Sequence, residues 1–167
     1  MKYVYFYNTG IKELGTLGIG ACEDKITDLF FEYEMENVKK NKNYIIKETP
    51  LIKKAAFQLF EYLNGKRKEF DLPLLKNGTD FQISVWNELL KIPYGETISY
   101  SDEAKIIGKD KAVRAVGSAN GKNSIPIIIP CHRVVSKDGS LGGYSGGEGG
   151  NKGIEIKKYL LELEKKF

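Results

Sequence analysis

A run of β-branched residues leads the chain into a cysteine, a histidine and an arginine: Ile125-Pro126-Ile127-Ile128-Ile129-Pro130-Cys131-His132-Arg133-Val134-Val135. Such a run predicts a buried strand. Pro130 predicts the end of that strand, because proline cannot donate to a strand ladder and forces the chain to turn. We therefore expect Cys131 where a rigid core segment meets a bend, a position that holds a reactive side chain still.

Cys131 is followed by His132, the single histidine of the chain. A thiol is a nucleophile only as the thiolate, and a neighbouring imidazole or positive charge lowers the thiol pKa. Successive residues of a flat strand point to opposite faces, so contact between the two side chains requires the bend after Pro130 or a bridging water. The alternative is that Cys131 is a small buried hydrophobe, as free cysteines often are, and this stretch alone leaves both interpretations open.

The composition is typical of a globular protein. The 167 residues suffice for one sizeable domain or two small ones, and 41% of them are hydrophobic. No stretch approaches the roughly 18 apolar residues that cross a bilayer, and the first residues lack the pattern of a signal peptide. Two distant cysteines predict a reduced, cytoplasmic protein rather than a disulfide framework. The net charge of +4 permits nucleic-acid binding without requiring it.

The first part of the sequence predicts a small β-sheet followed by one long helix. Runs rich in β-branched and aromatic residues indicate three strands of an antiparallel sheet, at residues 2–7, 14–22 and 26–33. Thr49-Pro50 predicts a helix start, because threonine caps a helix and proline suits its first turn, and Gly65 predicts its end. Residues 66–74 are predicted to form a short strand. A linker at residues 75–80 places the domain boundary after residue 76.

The second part predicts helices in a helix-turn-helix arrangement. The predicted elements are a helix capped by Thr79 or Asp80, a helix at 99–107 closed by Gly108, a helix capped by Asp110 and running to about residue 120, a hairpin at 136–143 and a helix at 153–165. Asp138-Gly139 supplies the tight turn that the hairpin needs. A helix-turn-helix followed by a hairpin is a winged-helix arrangement.

The third of these helices has almost no side-chain bulk. Its small residues are Ala112, Ala115, Gly117, Ser118 and Ala119. They suit either tight packing against another helix or close approach to a nucleic-acid groove, including the minor groove, which is about 6 Å wide. Arg114 stands out and can take the place of an everted base. Phosphate contacts can come from Lys109, Lys111, Lys122 and Lys137, although a single lysine is more often a solvated surface charge.

Residues 129–135, Ile-Pro-Cys-His-Arg-Val-Val, resemble the signature of the O6-alkylguanine-DNA alkyltransferases, also called methylated-DNA–protein-cysteine methyltransferases. The resemblance extends from about Phe81 to Glu164. Further matching motifs in the same order are Gly95-Glu96-Thr97-Ile98-Ser99-Tyr100, Ala112-Val113-Arg114-Ala115-Val116-Gly117 and Tyr144-Ser145-Gly146-Gly147. The first part of the chain matches only in general pattern.

The resemblance implies an α+β fold in two domains. A ribonuclease H-like supporting domain would occupy residues 1–76, and a winged-helix domain that binds DNA and accepts the alkyl group would occupy residues 77–167. The implied activity is direct-reversal repair, in which a methyl or larger alkyl group passes from O6 of guanine to Cys131, with O4-methylthymine as a second candidate substrate. The implied partner is double-stranded DNA bound through its minor groove by a monomer, with the damaged base rotated out of the stack.

The resemblance also assigns the reacting groups. Cys131 is the nucleophile, and His132 is its base, acting directly or through water. Glu164 lies behind the histidine and fixes its tautomer, with Glu162 as the competing candidate. Tyr100 meets the base ring and supplies a proton. Further implied roles are a brace for Asn123, a finger for Arg114, a pocket wall for Pro126, a main-chain acceptor for Val134 and main-chain contacts to guanine for Tyr144, Ser145 and Gly146.

The sequence also bears on metals and on other functions. The N-terminal half offers Cys22 and no histidine, so we expect no zinc and no other cofactor. A winged-helix DNA-binding protein or lesion sensor without catalysis is the alternative, but it would not explain the cysteine and histidine at the end of a core segment. A cysteine hydrolase is disfavoured, because its histidine normally comes from elsewhere in the sequence and this chain has no second one.

Overall fold

The structure, a computed structural model, describes residues 1–142 and 150–167 and separates into two compact units, Met1–Lys76 and Asn77–Phe167. The first unit is a four-stranded sheet with one long helix, and the second is mainly helical. The predicted α+β class is therefore confirmed.

The sheet of the first unit has the strand order β3-β2-β1-β4. Its strands are β1 (Lys2–Asn8), β2 (Thr16–Ala21), β3 (Ile26–Phe30) and β4 (Tyr44–Ile46). The pairs β1–β2 and β2–β3 are antiparallel, as predicted for these three strands. The fourth strand, β4, was not predicted and runs parallel to β1, so the complete sheet is mixed. The reason is a crossover: a 3-10 turn (Glu32–Glu34) and α1 (Met35–Lys40) carry the chain to the opposite edge of the sheet.

Helix α2 (Pro50–Leu63) packs against the first three strands of this sheet. Its start follows the predicted signals, since Thr49 Oγ1 accepts a hydrogen bond of 3.2 Å from the Ile52 amide and Pro50 occupies the first turn. Of the strand predicted at residues 66–74, only an isolated parallel bridge between Leu74 and Ile26 forms, in which the Ile26 amide donates to the Pro73 carbonyl at 2.8 Å and the Leu75 amide donates to the Ile26 carbonyl at 2.9 Å. At Asp71 a side chain satisfies the main chain instead: the Gln58 amide group accepts from the Asp71 amide at 2.9 Å and donates to the Asp71 carbonyl at 3.1 Å.

In the described residues of the second unit there are four α-helices and a two-stranded parallel pair. These elements are α3 (Asp80–Leu89), β5 (Ile98–Ser99), α4 (Tyr100–Ile106), α5 (Val113–Gly121), β6 (Val134–Val135) and α6 (Asn151–Lys166). Thr79 and Ser99 cap α3 and α4 through their hydroxyl oxygens. Trp86 of α3 is 2% exposed and donates its indole hydrogen to the Ala119 carbonyl at 2.8 Å, which ties α3 to the C-terminal end of α5.

Two predictions for this unit are wrong, namely the cap of α5 at Asp110 and the hairpin that follows β6. Asp110 does not cap α5, which begins at Val113 after a turn closed by a 2.8 Å bond from the Ala112 amide to the Lys109 carbonyl. The turn at Asp138-Gly139 does form, with Gly139 at a φ of 86°. However, β6 pairs with β5, and the described residues 136–142 contain no hairpin strand.

The apolar stretch before Cys131 is buried as predicted, but it is not a strand. The Ile129 amide bonds to the Ile125 carbonyl at 2.9 Å, which closes a compact turn. Within this turn Ile127 has a φ of 71°, which is rare for a β-branched residue. Pro126 lacks the amide hydrogen that a central strand would need, so the run folds into a buried turn instead.

Candidate active site

Cys131 opens a 3-10 turn, Cys131–Arg133, whose three side chains are all buried. The thiol is 6% exposed, and its sulfur lies 3.3 Å from Nδ2 of Asn123, which is oriented to donate to it. The same Nδ2 donates to the Ile129 carbonyl at 2.9 Å, and Asn123 Oδ1 accepts from the Ile125 amide at 3.0 Å. The asparagine thus braces the turn on both sides, and its donor favours the thiolate over the thiol.

His132 is fully buried and lies 2.7 Å from Glu164 through its Nε2 atom and Oε2 of the carboxylate. Glu164 is 4% exposed, whereas Glu162 points to solvent, so the structure places Glu164 behind the histidine. Burial lowers the pKa of His132, and the Glu164 carboxylate opposes that shift. A neutral ring that donates from Nε2 to Glu164 leaves Nδ1 as a proton acceptor. Nδ1 is buried with no hydrogen-bond partner among the described residues.

Arg133 is a part of this site that the sequence reasoning did not assign. Its Nε lies 2.8 Å from Oε1 of Glu164 and its NH2 nitrogen 3.0 Å from Oε2, while NH1 donates to the Ile92 carbonyl at 2.7 Å. The guanidinium also lies 5.7 Å from the ring centre of Tyr94. The Gly95 amide, 3.2 Å from Oε1, adds a further donor. These donors stabilise Glu164 as an anion in a buried environment.

Lys157 is the second unassigned residue, and it is fully buried on α6. Its ammonium donates to the Val134 carbonyl at 2.7 Å, donates to the Leu141 carbonyl and lies 3.5 Å from the Tyr100 hydroxyl. Burial lowers its pKa to about 8, and a charge on Cys131 opposes that shift. The Val134 carbonyl, expected to accept from guanine, therefore already accepts from Lys157 and retains its second lone pair.

For Lys157 a sequence signal exists in retrospect. The buried positions of α6 are Gly153, Ile156, Lys157, Leu160, Leu163 and Glu164. They follow the three- and four-residue spacing of a core-facing stripe. Lys157 and Glu164 therefore lie on the apolar face, seven residues apart. A charged side chain at such a position is rarely buried without a partner, which marks both as functional candidates.

Tyr100 begins α4 and adjoins the same site. Burial raises its pKa, and a charge on Cys131 adds to that shift, so its hydroxyl stays protonated at neutral pH. A β-carbon placed on Gly142 would lie 3.0 Å from the Tyr100 hydroxyl oxygen. Pro126 is buried in the turn before Cys131. The predicted contacts of Tyr144, Ser145 and Gly146 lie outside the described residues.

Helix α5 presents two different faces. Val116, Ala119 and Asn120 are buried against neighbouring helices, so the packing interpretation holds for Ala119. Side chains exposed on the other face are Arg114, Ala115 and Ser118, and the exposed lysines around the helix are Lys109, Lys111, Lys122 and Lys137. A β-carbon on the half-buried Gly117 would lie 3.8 Å from the Tyr100 ring. The helix with little side-chain bulk thus passes next to the tyrosine of the thiol site.

Comparison with known proteins identifies the family. The model of the 6-O-methylguanine DNA methyltransferase DNA binding domain matches residues 80–166, and that of the 6-O-methylguanine DNA methyltransferase ribonuclease-like domain matches residues 4–75. The chain belongs to this methyltransferase family. Both parts of the predicted resemblance, including the ribonuclease-like first domain, are thereby confirmed.

Individual members of the family align over most of the chain. The constitutive methylated-DNA–protein-cysteine methyltransferase of Bacillus subtilis is 46% identical over 165 residues, which are 96% of this chain and 95% of that protein. The methylated-DNA–protein-cysteine methyltransferase of Methanosarcina barkeri is 51% identical over 119 residues, 71% of this chain and 72% of its own. The crystal structure of Mycobacterium tuberculosis OGT in complex with DNA superimposes with a TM-score of 0.84 at 39% identity, covering 98% of this chain and 93% of that one.

Residues 1–142 and 150–167 contain neither a candidate metal site nor a candidate membrane span. There is no group of three or more histidine, cysteine or acidic side chains arranged to hold a metal ion. No helix in those ranges is both long and apolar enough to span a bilayer.

Proposed function

We propose that this chain repairs DNA by direct reversal, moving a methyl or larger alkyl group from O6 of guanine to the sulfur of Cys131. One observation carries the proposal: the buried thiol is braced by an amide donor and is followed in the same turn by an imidazole that contacts a buried carboxylate. This arrangement lies in a chain whose relatives are named methylated-DNA–protein-cysteine methyltransferases. The solved Mycobacterium tuberculosis relative is bound to DNA.

The first step is ionisation of the thiol. His132 takes the proton at Nδ1, directly or through water, and Glu164 stabilises the resulting imidazolium. The donor on Asn123 and the ammonium of Lys157 stabilise the thiolate. Arg133 holds Glu164 in place, so the imidazole keeps its orientation while its charge changes.

The second step is transfer of the alkyl group. The sulfur attacks the alkyl carbon in line with the carbon–O6 bond, so that the sulfur–carbon bond forms as the carbon–oxygen bond breaks. The electron pair passes into the guanine ring, which receives a proton from Tyr100. The proton that His132 took from the thiol then restores the phenol through solvent. Lys157, 3.5 Å from the hydroxyl, stabilises the transient tyrosinate.

The reaction consumes the protein. The product is a thioether, and no base of ordinary strength in a protein hydrolyses it, so each molecule acts once. We therefore expect at most one methyl group transferred per chain. A stoichiometry above one would overturn the single-use proposal.

The damaged base must leave the helix before the thiol can reach it. We assign its capture to the exposed face of α5, where Arg114 fills the gap in the stack and the small residues allow approach to the minor groove. One chain acts as a monomer. We place it in the cytoplasm, since its substrate is DNA and its thiol must stay reduced.

The test is incubation with duplex DNA that carries labelled O6-methylguanine, followed by mass spectrometry of the protein. The label is expected on Cys131 and on no other residue. Cys131→Ser is expected to abolish transfer while keeping DNA binding. The chain offers a matched control in Cys22→Ser, which removes its only other thiol and is expected to transfer normally. Binding without label transfer would favour the lesion-sensor alternative.

The role of Arg114 is tested by comparing two substrates. Arg114→Ala is expected to slow transfer from duplex DNA at least tenfold while leaving transfer from free O6-benzylguanine within about twofold. The free base needs no extrusion, so it isolates the chemistry. Equal loss on both substrates would remove the finger role.

A further inference from the structure

A buried acid lies between α4 and α5, outside the thiol site. Glu103 of α4 is fully buried, and its Oε2 accepts a hydrogen bond of 2.8 Å from Nδ2 of Asn120, which is 6% exposed on α5. The other oxygen of each group, Oε1 of Glu103 and Oδ1 of Asn120, is buried with no hydrogen-bond partner among the described residues. Two buried oxygen acceptors without a donor destabilise the fold, because each has lost the hydrogen bonds that it made to water.

A single proton would satisfy both atoms. Two acceptors cannot bind each other, but a proton on Oε1 makes Glu103 a donor, and Oδ1 of Asn120 is the acceptor on the paired group. The result is a cyclic acid–amide pair with two hydrogen bonds, one in each direction. We propose that Glu103 is a positioning residue which, as a neutral carboxylic acid paired with Asn120, fixes α5 against α4. The pair would hold in place the helix to which we assign DNA contact, so this inference rests on the proposed function.

The charges around Glu103 favour the neutral form. Burial raises the pKa of Glu103 to about 7, the Asn120 bond opposes that shift, and the charge of Glu88 on α3 adds to it. Glu88 is itself paired with the exposed Lys91 at 2.8 Å. From α5 the one charged side chain is the exposed Arg114, and β5 and β6 carry no titratable residue. The titratable neighbours on α4 itself are Tyr100, whose pKa the charge of Glu103 raises further, and the exposed Asp102 and Lys105. No described cation is therefore paired with the carboxylate.

The proposal fixes the sign of a pH effect. The folded pKa of Glu103, about 7, lies above its ordinary value of 4.5. The stability that this group contributes is full below about pH 4.5 and is lost as the pH rises through about 7. Ionisation leaves a buried anion and turns Oε1 back into an acceptor, which weakens the joint between the two helices.

The first test is the pH dependence of unfolding by urea. Glu103→Gln keeps the shape and forms an amide–amide pair that needs no proton, so its stability should not carry this titration. Between about pH 5 and pH 8 the folding equilibrium constant of the wild type should fall on the order of a hundredfold relative to Glu103→Gln. The matched control Glu155→Gln, on the exposed face of α6, should follow the wild type. A Glu103→Gln profile parallel to the wild type would overturn the proposal.

A second variant guards against an effect of packing alone. Asn120→Asp places two carboxyl groups at the joint, which can pair when protonated but repel when ionised. It should be near wild-type stability at about pH 4.5 and lose more than the wild type by pH 8. A loss that is equal at both pH values would contradict the acid–amide pair, because it would indicate a steric defect.

A direct readout is the carboxyl carbon of Glu103 in an NMR titration of protein labelled at its glutamates. The resonance missing from Glu103→Gln identifies it, and its midpoint should lie near pH 7. A midpoint below pH 5 would overturn the proposal.

DNA binding connects the pair to the proposed function. Affinity for an undamaged duplex should fall severalfold between pH 6 and pH 8 in the wild type and stay constant in Glu103→Gln. The same fall in both proteins would remove the positioning role. If no methyl group is transferred but stability and DNA affinity still depend on pH as described, only the proposed repair activity is contradicted. The two failures are therefore distinguishable.

Discussion

At the scale of single residues, the chemistry of Cys131 depends on charges that lie behind it and are hidden from solvent. Glu164 is 4% exposed and receives donors from His132, Arg133 and the Gly95 amide. Lys157 is fully buried and donates hydrogen bonds to main-chain carbonyls. A buried charge is tolerated when it is paired, and removal of its partner leaves it uncompensated. We therefore expect each of these groups to contribute to both the stability and the chemistry of the site.

The first prediction concerns Arg133. Arg133→Met should lower the free energy of unfolding by about 3 to 5 kcal/mol, because Glu164 would remain buried without its bidentate partner. Arg67→Met is the matched control, since Arg67 pairs with Glu61 at 2.9 Å with both side chains more than a quarter exposed. That control should lose at most about 1 kcal/mol. Chemical denaturation measures both, and similar losses would contradict the prediction.

The second prediction concerns Lys157 and pH. Lys157→Met should slow transfer from free O6-benzylguanine about tenfold at neutral pH, because the thiolate loses a neighbouring cation. Since the pKa of Lys157 is lowered to about 8, the wild-type rate should fall as the pH rises past that value and the ammonium loses its proton. The variant should show no such fall. Lys158→Met, on an exposed position, is the control, and a Lys157→Met profile like that of the wild type would be the contrary result.

At the scale of elements, the turns on either side of the thiol are the demanding parts of the fold. The segment from Ser136 to Gly142 leaves β6, turns at Gly139 and returns beside Tyr100. Gly139 and Gly142 both have positive φ, at 86° and 69°. They differ in their surroundings, since nothing lies within 4 Å of a β-carbon at Gly139. The pair therefore separates backbone strain from crowding of the site.

The third prediction uses this pair. Gly139→Ala and Gly142→Ala should both lose about 1 kcal/mol of stability, because alanine disfavours positive φ. Gly142→Ala alone should slow transfer from O6-benzylguanine, since its β-carbon would lie 3.0 Å from the Tyr100 hydroxyl. Rate measurements that find equal transfer by the two variants would show that the Tyr100 contact is irrelevant.

The starts of α2 and α3 were predictable because their signals are local, whereas the predicted cap of α5 at Asp110 was wrong. Thr49 and Thr79 cap the helices that follow them, as their sequence pattern indicates. The main-chain partners of residues 66–74 and 125–130 were not predictable, because local composition does not reveal which groups pair. For Asp71 the partner is the side chain of Gln58, 13 residues away, and such pairing depends on tertiary structure.

The residues of the candidate site that belong to the family motifs were predictable from the sequence. Cys131, His132 and Glu164 were named from the resemblance, and the structure brings the histidine and glutamate together. Arg133 and Lys157 were not assigned, because their partners lie far away in sequence: the carbonyl that Arg133 bonds belongs to Ile92, 41 residues away. Only the buried stripe of α6 hinted at Lys157.

At the scale of the whole molecule, the net charge of +4 supports DNA binding through exposed lysines. The fourth prediction is that the logarithm of duplex affinity falls linearly with the logarithm of salt concentration. Lys109→Ala combined with Lys137→Ala should reduce the slope by up to about 2, since each phosphate that a lysine neutralises adds roughly 0.9 to it. Filter binding at several salt concentrations measures it. Lys53→Ala, on an exposed position of α2, should leave the slope unchanged, and an unaltered slope in the double variant would remove both lysines from the interface.

The indole of Trp86 gives the protein an optical reporter. It is the single tryptophan of the chain, and its bond to the Ala119 carbonyl joins it to the end of the helix that carries Arg114. Its emission should therefore be blue-shifted while α5 is packed against α3. It should move to longer wavelength when α5 separates from α3 and the indole becomes exposed to water. Fluorescence of the unlabelled protein can thus follow, in real time, the helix to which we assign DNA contact.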